Sequence, residues 1–221
     1  MELIKSTKTA LLFGATGLVG NELLHQLLNE RAYAKVIAPT RRPHHLKDAK
    51  LENPVVKFEE LEKYGGKWPC NDVYICLGTT IKKAGSKAAF RRVDFDYIVK
   101  CAVVAKAGGA NQCLLISSVG ADPESLFFYT RVKGETEKAI IALNFWATHI
   151  FQPGVLVGNR SEFRLGEKIG IGVTNLLRNI NPSILGDYNP TRVETLATRM
   201  IEASRAVTGG LTRHTAVELL E

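Results

Sequence analysis

A serine, a tyrosine and a lysine in the second half of the chain have the types and spacing of a proton relay. Tyr129 and Lys133 stand four residues apart in the segment FYTRVKGETE and would share one face of a helix. Ser118, which ends the strand-like segment QCLLISS together with Ser117, lies eleven residues before the tyrosine. A lysine ammonium lowers the pKa of a neighbouring phenol, and a serine hydroxyl can hydrogen-bond the same substrate oxygen. YxxxK alone is common by chance, but in this context it predicts a site for carbonyl reduction, with Ser117 as the competing serine.

Three glycines near the start of the chain form the pattern GxxGxxG. Gly14, Gly17 and Gly20 follow the strand-like segment TALLF and open the helical segment LVGNELLHQLL. In such a loop the first glycine permits a tight turn, the second lets the backbone approach a diphosphate, and the third allows close packing of the helix on the sheet. The amides at the helix N-terminus then receive the anion. A purely structural turn is the alternative, but the strand before and the helix after the loop predict dinucleotide binding.

The residues after the second predicted strand indicate which dinucleotide is bound. A site that selects NADH places an acidic residue there to bind the ribose 2′-hydroxyl. This chain instead reads VIAPTRRP, with Arg41 and Arg42 at that position. Two guanidinium groups suit a 2′-phosphate through charge-assisted, bidentate hydrogen bonds. We therefore expect NADPH to be preferred over NADH; the alternative is a solvated pair of surface arginines.

Strand-like and helical segments alternate along most of the chain, and they must position these groups. Apolar, β-rich segments predict strands at 10–13, 35–38, 55–58, 73–77, 113–117 and 148–151. Amphipathic segments predict helices at 18–29, 94–107, 129–143, 163–178 and 192–206. Continuous apolar strands that alternate with helices are typical of a parallel sheet covered on both faces. The predicted fold class is therefore α/β, a doubly wound parallel sheet of the Rossmann type.

Length and composition fit one domain. The chain has 221 residues, of which 45% are hydrophobic and 23% are charged, as in an ordinary globular protein with a substantial core. We expect residues 1–221 to form one dinucleotide-binding domain. Residues 158–190 differ from the rest, with the charged segment RSEFRLGEK, an apolar helical pattern and NPSILGDYNP. They are interpreted as a small C-terminal substrate cap, with a peripheral helix as the alternative.

The formal net charge of +7 raises the question of a polyanionic partner. The basic residues, however, occur as short pairs interleaved with acidic ones, and no aromatic and basic array of the kind that binds single strands is present. This pattern argues against a nucleic-acid partner. It favours a solvated basic surface or a pocket for phosphorylated ligands.

Cysteine and histidine spacing predicts no metal site. The histidines form no HExxH or other ligand pattern, and the cysteines have no CxxC spacing. The cysteines are interpreted as reduced core residues; they are Cys70, Cys76, Cys101 and Cys113. No signal peptide is recognisable and no apolar run reaches the ~18 residues that a membrane span requires. We therefore expect a cytoplasmic protein without a membrane span.

The motifs in their order resemble the short-chain dehydrogenase/reductase superfamily, and more closely its atypical, epimerase-like branch that includes the Tat-interacting oxidoreductase-like proteins. The resemblance extends over nearly the whole chain. Its segments are GATGLVG (14–20), CLGTT (76–80), AGSKAAFRRVDFDYIVKCAVVAKAGG (84–109), LLISSVGAD (114–122), YTRVKGETE (129–137) and QPGVLVGNR (152–160).

The resemblance implies which residues contact the dinucleotide. The diphosphate loop would consist of Gly14, Thr16, Gly17, Leu18 and Val19. The adenosine 2′-phosphate would meet Arg41 and Arg42. The cofactor's ribose beyond the fourth strand would be lined by Leu77, Gly78 and Thr79. The nicotinamide amide would be flanked by residues 153–155, including Pro153 and Val155.

The resemblance also implies the catalytic roles. Tyr129 would be the general acid, Lys133 would hold the nicotinamide ribose and tune the tyrosine, and Ser118 would polarise the carbonyl, with Ser117 as the competing candidate. Asp94 occupies the helix position at which many members carry an asparagine that organises a proton-relay water. The interval between serine and tyrosine is also shorter than usual in the superfamily.

Two functions from different classes follow. The first is an NADPH-dependent oxidoreductase that reduces a carbonyl of a small-molecule substrate. The second is an NADPH-sensing regulatory protein that binds a protein partner without turnover, because members of this branch are described as regulatory proteins whose nucleotide state controls partner binding. The complete set of serine, tyrosine and lysine favours the enzyme, since a sensor needs no proton donor beside the nicotinamide.

Overall fold

A computed structural model describes residues 8–158, 190–206 and 208–219 of the chain. Its centre is a seven-stranded sheet in the order β3-β2-β1-β4-β5-β6-β9, in which all neighbouring strands are parallel. These strands are β1 (Lys8–Phe13), β2 (Tyr33–Ile37), β3 (Leu51–Glu52), β4 (Asp72–Ile75), β5 (Gln112–Ile116), β6 (Ala147–Gln152) and β9 (Gly210–Thr215). A separate parallel pair is formed by β7 (Leu156–Val157) and β8 (Thr191–Arg192).

Six α-helices lie in the described ranges, and the longer ones cover the two faces of the sheet. They are α1 (Leu18–Asn29), α2 (Ile81–Ala84), α3 (Lys87–Arg91), α4 (Ile98–Ala107), α5 (Phe128–Ala142) and α6 (Val193–Arg205). A π-helical turn, Arg92–Tyr97, leads directly into α4, and a 3₁₀ segment, Phe58–Tyr64, precedes β4.

The central strands are apolar on both faces because a helical layer covers each face. On one side, alternate strand residues such as Leu12 and Tyr74 pack with α1 and α6 in one hydrophobic cluster. On the other side, Leu11 and Val73 belong to a second cluster that includes residues of α4 and of the 3₁₀ segment. Two-sided burial of parallel strands produces the continuous apolar runs seen in the sequence. The predicted doubly wound fold is confirmed.

Two details of the sequence prediction are wrong. Residues 55–58 were predicted as a strand, but Val55 forms only an isolated bridge to Thr40 and a 3₁₀ turn begins at Phe58. Pro54 lacks a backbone N–H, and acidic residues in the first turn of the segment EELEKY favour a helical conformation. The third strand is formed earlier by Leu51–Glu52. Strand β9 was missed because its polar, alternating sequence forms an edge of the sheet.

The strand order creates a crevice at the carboxyl ends of β1 and β4. From β1 the chain continues to β2 on one side, whereas β4 pairs with β1 on the other side. Such a reversal of strand order is the point at which open parallel sheets bind ligands. The glycine loop after β1 and the segment Leu77 to Thr79 after β4 both lie at this edge.

Other sequence predictions can be compared with the same ranges. The cysteines carry free thiols; Cys76 is partly buried and Cys70, Cys101 and Cys113 are buried. No helix among the described residues has the length and apolarity to cross a membrane. The same residues contain no group of three or more His, Cys, Asp or Glu side chains arranged to hold a metal. The predicted helix 163–178, and the predicted cap 158–190 apart from its two end residues, lie outside the described ranges.

Candidate active site

The glycine loop is packed so tightly that two of its glycines cannot carry a side chain. Gly14 has φ = +91°, and a Cβ atom there would lie 2.6 Å from the carbonyl oxygen of Cys76 at the end of β4. A Cβ atom on Gly20 would lie 2.1 Å from the Gly14 carbonyl oxygen. The first glycine therefore lets the loop approach β4, and the third lets α1 approach the loop.

The second glycine occupies the N-cap position of α1 and leaves the helix N-terminus open. Gly17 donates its N–H to the Gly14 carbonyl at 2.8 Å, and α1 has neither a side-chain cap nor an acidic residue in its first turn. Thr16 and Leu18 are exposed at this end, whereas the Val19 side chain is buried, so that only its backbone faces the loop. An uncapped helix N-terminus carries a partial positive charge suited to an anion.

The turn that carries Arg41 and Arg42 is shaped by one asparagine. Asn53 donates to the Ala38 carbonyl at 2.5 Å and to Thr40 Oγ1 at 2.8 Å, and it accepts the backbone N–H of His44 at 2.7 Å. Both guanidinium groups are exposed. The arginines that form ion pairs in the described part of the chain are others: Arg91, Arg192, Arg199, Arg205 and Arg213.

This turn lies beside the glycine loop. The ring of His44 approaches the Ala15 backbone and stacks on His45, with ring centroids 4.6 Å apart. Burial, followed by the neighbouring histidine charges, lowers the pKa of His44, so its ring is neutral at pH 7. The predicted 2′-phosphate residues and the predicted diphosphate loop are therefore neighbours at the same edge of the sheet.

The clearest feature of the site is a buried ion pair between Asp94 and Lys133. Asp94 is fully buried; its Oδ1 atom lies 2.8 Å from Lys133 Nζ, and its Oδ2 atom accepts the backbone N–H of Thr79 at 2.9 Å. A Cβ atom on Gly78 would lie 3.5 Å from Asp94 Oδ1 and 3.8 Å from Lys133 Nζ. The segment after β4, the π-helical turn and α5 thus meet at one carboxylate.

The backbone at Asp94 is held by a threonine of α5. Thr136 Oγ1 lies 2.8 Å from the Asp94 carbonyl oxygen and 2.7 Å from the Val132 carbonyl oxygen, and its single proton is shared between these two acceptors. Asp94 lies in the π-helical turn, and such wide turns occur often at functional sites because they redirect side chains. The turn here directs the Asp94 carboxylate towards Lys133.

The charge of Lys133 is stabilised by its neighbours. Burial would lower the pKa of the ammonium, but the negative charge of Asp94, followed by interactions with Tyr129 and Glu137, outweighs burial and raises it. Lys133 therefore remains a cation inside the protein at neutral pH.

Tyr129 and Lys133 lie in the first two turns of α5, as predicted. Tyr129 is half-buried, and its ring packs against Phe90 with centroids 5.5 Å apart. The loop that follows Ser118 packs on the same helix, because a Cβ atom on Gly134 would lie 2.2 Å from the backbone of Asp122. The structure thus brings the loop from the predicted serines against the helix that carries the tyrosine.

The two candidate serines have different environments. Ser117 is buried and donates its hydroxyl to Glu137 Oε1 at 2.6 Å. Ser118 is half-buried, and its hydroxyl makes a longer contact, 3.3 Å, to the Val119 carbonyl. The sequence does not decide between the two serines. Glu137 was not predicted, although its position four residues after Lys133 on α5 was a usable signal.

Residues 153–155 lie beside the serine loop and the start of α6. The Pro153 carbonyl accepts the Val119 N–H at 3.2 Å, and the Val155 carbonyl accepts the Thr191 N–H at 2.8 Å. A Cβ atom on Gly158 would lie 3.2 Å from Leu18, the first residue of α1. This segment therefore runs along the carboxyl edge of the sheet towards the glycine loop.

Two curated proteins have sequences similar to most of this chain. HTATIP2 from Rattus norvegicus is 42% identical over 164 residues, which cover 72% of this chain and 67% of that protein. FMP52-1, mitochondrial, from Scheffersomyces stipitis is 33% identical over 189 residues, which cover 81% of each chain. No family model matches the chain.

Solved structures with low sequence identity share the fold. WbmH of Bordetella bronchiseptica, in complex with NAD⁺, superposes with a TM-score of 0.72 at 15% identity and covers 95% of this chain and 76% of its own. ADP-L-glycero-D-manno-heptose-6-epimerase of Helicobacter pylori gives 0.69 at 13% identity, over 96% of this chain and 78% of its own.

The expectation of a cytoplasmic location is wrong. FMP52 proteins from Scheffersomyces stipitis, Lodderomyces elongisporus and Candida albicans, at 33%, 35% and 34% identity, are all named as mitochondrial. The expectation rested on the lack of a recognisable signal peptide or membrane segment, and such a lack does not specify a compartment.

Proposed function

This chain belongs to the family that contains HTATIP2 and FMP52, and on that premise we propose that it is an oxidoreductase that reduces a small-molecule carbonyl with a nicotinamide dinucleotide, NADPH in preference to NADH. The observation that carries the proposal is the buried Lys133–Asp94 pair. Asp94 accepts a hydrogen bond from the Thr79 amide at the edge of the crevice, and Lys133 lies on α5, the helix that carries Tyr129. The pair therefore connects the crevice to this helix. Taking a lysine and an aspartate out of water costs free energy, and buried charged groups of this kind occur often at functional sites.

The residues at the switch point fit a dinucleotide. The open N-terminus of α1 offers amides for a diphosphate, and Gly17 has no side chain to fill the space in front of them. WbmH and MoeE5, which share this fold, have been solved in complexes that contain NAD⁺ or NAD. A nicotinamide dinucleotide bound here supplies the hydride for carbonyl reduction.

Side chains of the protein supply the proton and orient the cofactor and the substrate. Lys133, fixed by Asp94, would hold the nicotinamide ribose through its positive charge. Tyr129 donates its phenolic proton to the substrate oxygen as negative charge develops there, and Ser118 donates a hydrogen bond to the same oxygen. Residues 153–155 would flank the nicotinamide amide.

The preference for NADPH rests on Arg41 and Arg42. Both are exposed on a turn that contacts the glycine loop through His44, and neither belongs to the ion pairs found in the described ranges. Guanidinium groups in this position favour a 2′-phosphate over a 2′-hydroxyl by bidentate, charge-assisted hydrogen bonds.

Oxidation of NADPH by the full chain, followed at its nicotinamide absorbance with a panel of aldehydes, ketones and quinones, tests the reaction. Tyr129→Phe should lower kcat about 10²-fold or more with nearly unchanged NADPH affinity, because it removes only the proton donor. Tyr64→Phe is the matched control, since Tyr64 stacks on Trp68 in another part of the protein. Tight NADPH binding without oxidation of any panel member would contradict the enzyme and support the sensor.

A further inference from the structure

Glu137 is a buried carboxylate one helical turn beyond Lys133. It is 4% exposed, and its Oε1 atom accepts two hydrogen bonds, from Ser117 Oγ at 2.6 Å and from Gln152 Nε2 at 2.9 Å. Arg213 Nε lies 3.5 Å from the other oxygen, Oε2. These partners hold the buried carboxylate in place, since removal of a donor would leave one of its oxygens less well satisfied in the interior.

The three partners come from three adjacent strands. Ser117 follows β5, Gln152 ends β6, and Arg213 lies in β9, the neighbour of β6. Next to these contacts, Ser117 donates its backbone N–H to the Phe151 carbonyl at 2.7 Å. Glu137 therefore ties α5 to the carboxyl ends of the strands that continue directly into Ser118 and Pro153.

The contact determines what Ser117 can do. A serine hydroxyl has one proton to donate, and that of Ser117 is directed to Glu137. Ser118 has no such strong acceptor among the described residues; its hydroxyl is 3.3 Å from the Val119 carbonyl and the residue is half-buried.

We propose that Glu137 is a positioning residue that takes up the Ser117 hydroxyl, orders the ends of β5 and β6, and thereby leaves Ser118 as the serine that faces the substrate. The part that concerns Ser118 rests on the proposed reductase function. The part that concerns Ser117 and Glu137 does not.

The carboxylate also acts on the reaction through charge. Glu137 contributes, after Asp94 and Tyr129, to the raised pKa of Lys133, and it faces Ser117, Gln152 and Arg213 on its other sides. Glu137→Gln keeps an oxygen that accepts from Ser117 but removes this charge. The alkaline limb of the kcat profile should therefore move to lower pH, a change that a purely structural role would not produce.

Serine variants separate the two hydroxyls. Ser118→Ala should lower kcat about 10²-fold with an unchanged thermal midpoint, as for loss of a hydrogen-bond donor to a reacting oxygen. Ser117→Ala should keep kcat within about 3-fold but lower the midpoint by about 3 °C or more, because Glu137 loses a donor in the interior. Loss of turnover in Ser117→Ala with an unchanged midpoint would overturn the assignment.

A double-variant cycle tests the contact without any substrate. Ser117→Ala, Glu137→Gln and the combined variant are compared by thermal unfolding, and we expect the two midpoint shifts to be clearly non-additive. Glu135→Gln is the matched control, since Glu135 lies on the same helix and pairs with Arg91 at the surface. Additive shifts would overturn the role of Glu137. If the wild-type protein oxidises no NADPH, the role of Ser118 fails with the proposed function, and the cycle still decides the role of Glu137.

Discussion

Removal of the Asp94 carboxylate should leave the Lys133 ammonium buried without its counter-charge. Loss of one partner from a buried ion pair costs about 3–5 kcal/mol, and the Thr79 amide loses its acceptor at a further cost of about 1–3 kcal/mol. Both groups are held at hydrogen-bonding distance from a residue that is 0% exposed. Since an entire domain is stable by only about 5–15 kcal/mol, Asp94→Ala should come close to unfolding the protein.

A milder pair of substitutions measures the ion pair itself. Asp94→Asn keeps an oxygen for the Thr79 amide and removes only the charge, and Lys133→Met replaces the ammonium by an apolar group of similar length. Each single variant should lose about 2 kcal/mol or more of its free energy of unfolding. The double variant buries no charge at this point and should return to within about 1 kcal/mol of the wild type.

Urea unfolding at pH 7 gives the interaction energy, which we expect to be at least about 2 kcal/mol. The exposed pair Lys63–Glu60 serves as the control cycle, because its side chains are 65% and 43% exposed and should be coupled by less than about 0.5 kcal/mol. Additive losses in the Asp94–Lys133 cycle, within about 0.5 kcal/mol, would refute the buried ion pair and remove the main support for the proposed function.

Three further predictions concern the glycine loop, the arginine turn and a buried histidine. Gly17→Val should abolish dinucleotide binding in calorimetry and stay folded at somewhat reduced stability, because its backbone is extended (φ = −83°, ψ = 171°) and its Cβ would lie 3.2 Å from the Gly14 carbonyl oxygen. Gly20→Ala should unfold more readily, since its Cβ would lie only 2.1 Å from the same oxygen. NADPH should bind at least about tenfold tighter than NADH, or about 1.4 kcal/mol, and Arg41→Ala with Arg42→Ala should remove that difference; equal affinities in the wild type would disprove the NADPH preference. Burial, followed by the charge of His214, lowers the pKa of His149 to about 4. As the pH falls from about 6.5 to 4, only the unfolded chain therefore gains this proton, and the free energy of unfolding should drop by up to about 1.4 kcal/mol per pH unit. His149→Leu should flatten that slope in urea titrations, and an unchanged slope would contradict the burial of a neutral imidazole.

The parts of the fold that the sequence predicted correctly depend on local patterns. The segment from β1 to α1 was recognised because a buried parallel strand, a glycine loop and an amphipathic helix each leave their own signal. The segment Phe128–Ala142 was predicted as a helix to within one residue at each end, and the spacing of Tyr129 and Lys133 followed from it. These features need no information about distant contacts.

The parts that were not predicted depend on contacts between segments far apart in the chain. Asp94 was noticed as a departure from a family pattern, but nothing in the sequence shows that its carboxylate meets Lys133, 39 positions later, and the Thr79 amide. A π-helical turn has nearly the same residue pattern as an α-helix, so the boundary at Ile98 could not be located. The sequence also does not show that Glu137 is buried, because its partners Gln152 and Arg213 lie on other strands of the sheet.

The two edges of the sheet use buried acids in opposite ways. At the amino ends of the strands, Asp72 accepts hydrogen bonds from Tyr33 at 2.6 Å, Gln112 at 3.0 Å and Lys8 at 3.1 Å, so both of its oxygens are committed to the protein. Gln112 also donates to the carbonyl of Ser204 in α6, which makes this network an anchor of helix to sheet.

At the carboxyl ends, Asp94 and Glu137 are also buried. Asp94 holds Lys133 and Glu137 holds Ser117, while the nearby side chains of Tyr129 and Ser118 remain partly exposed. The uncapped N-terminus of α1 lies at the same edge. The contacts of Asp72 join strands and α6 at the edge of the sheet away from the crevice, and they contribute to stability alone. Under the proposed function, Asp94 and Glu137 instead fix a lysine and a serine next to half-exposed hydroxyls that would meet the ligand, at the edge of the sheet where the strand order reverses. This difference between the two edges explains why substitutions around Asp72 should affect folding alone, whereas those around Asp94 should affect folding and chemistry together.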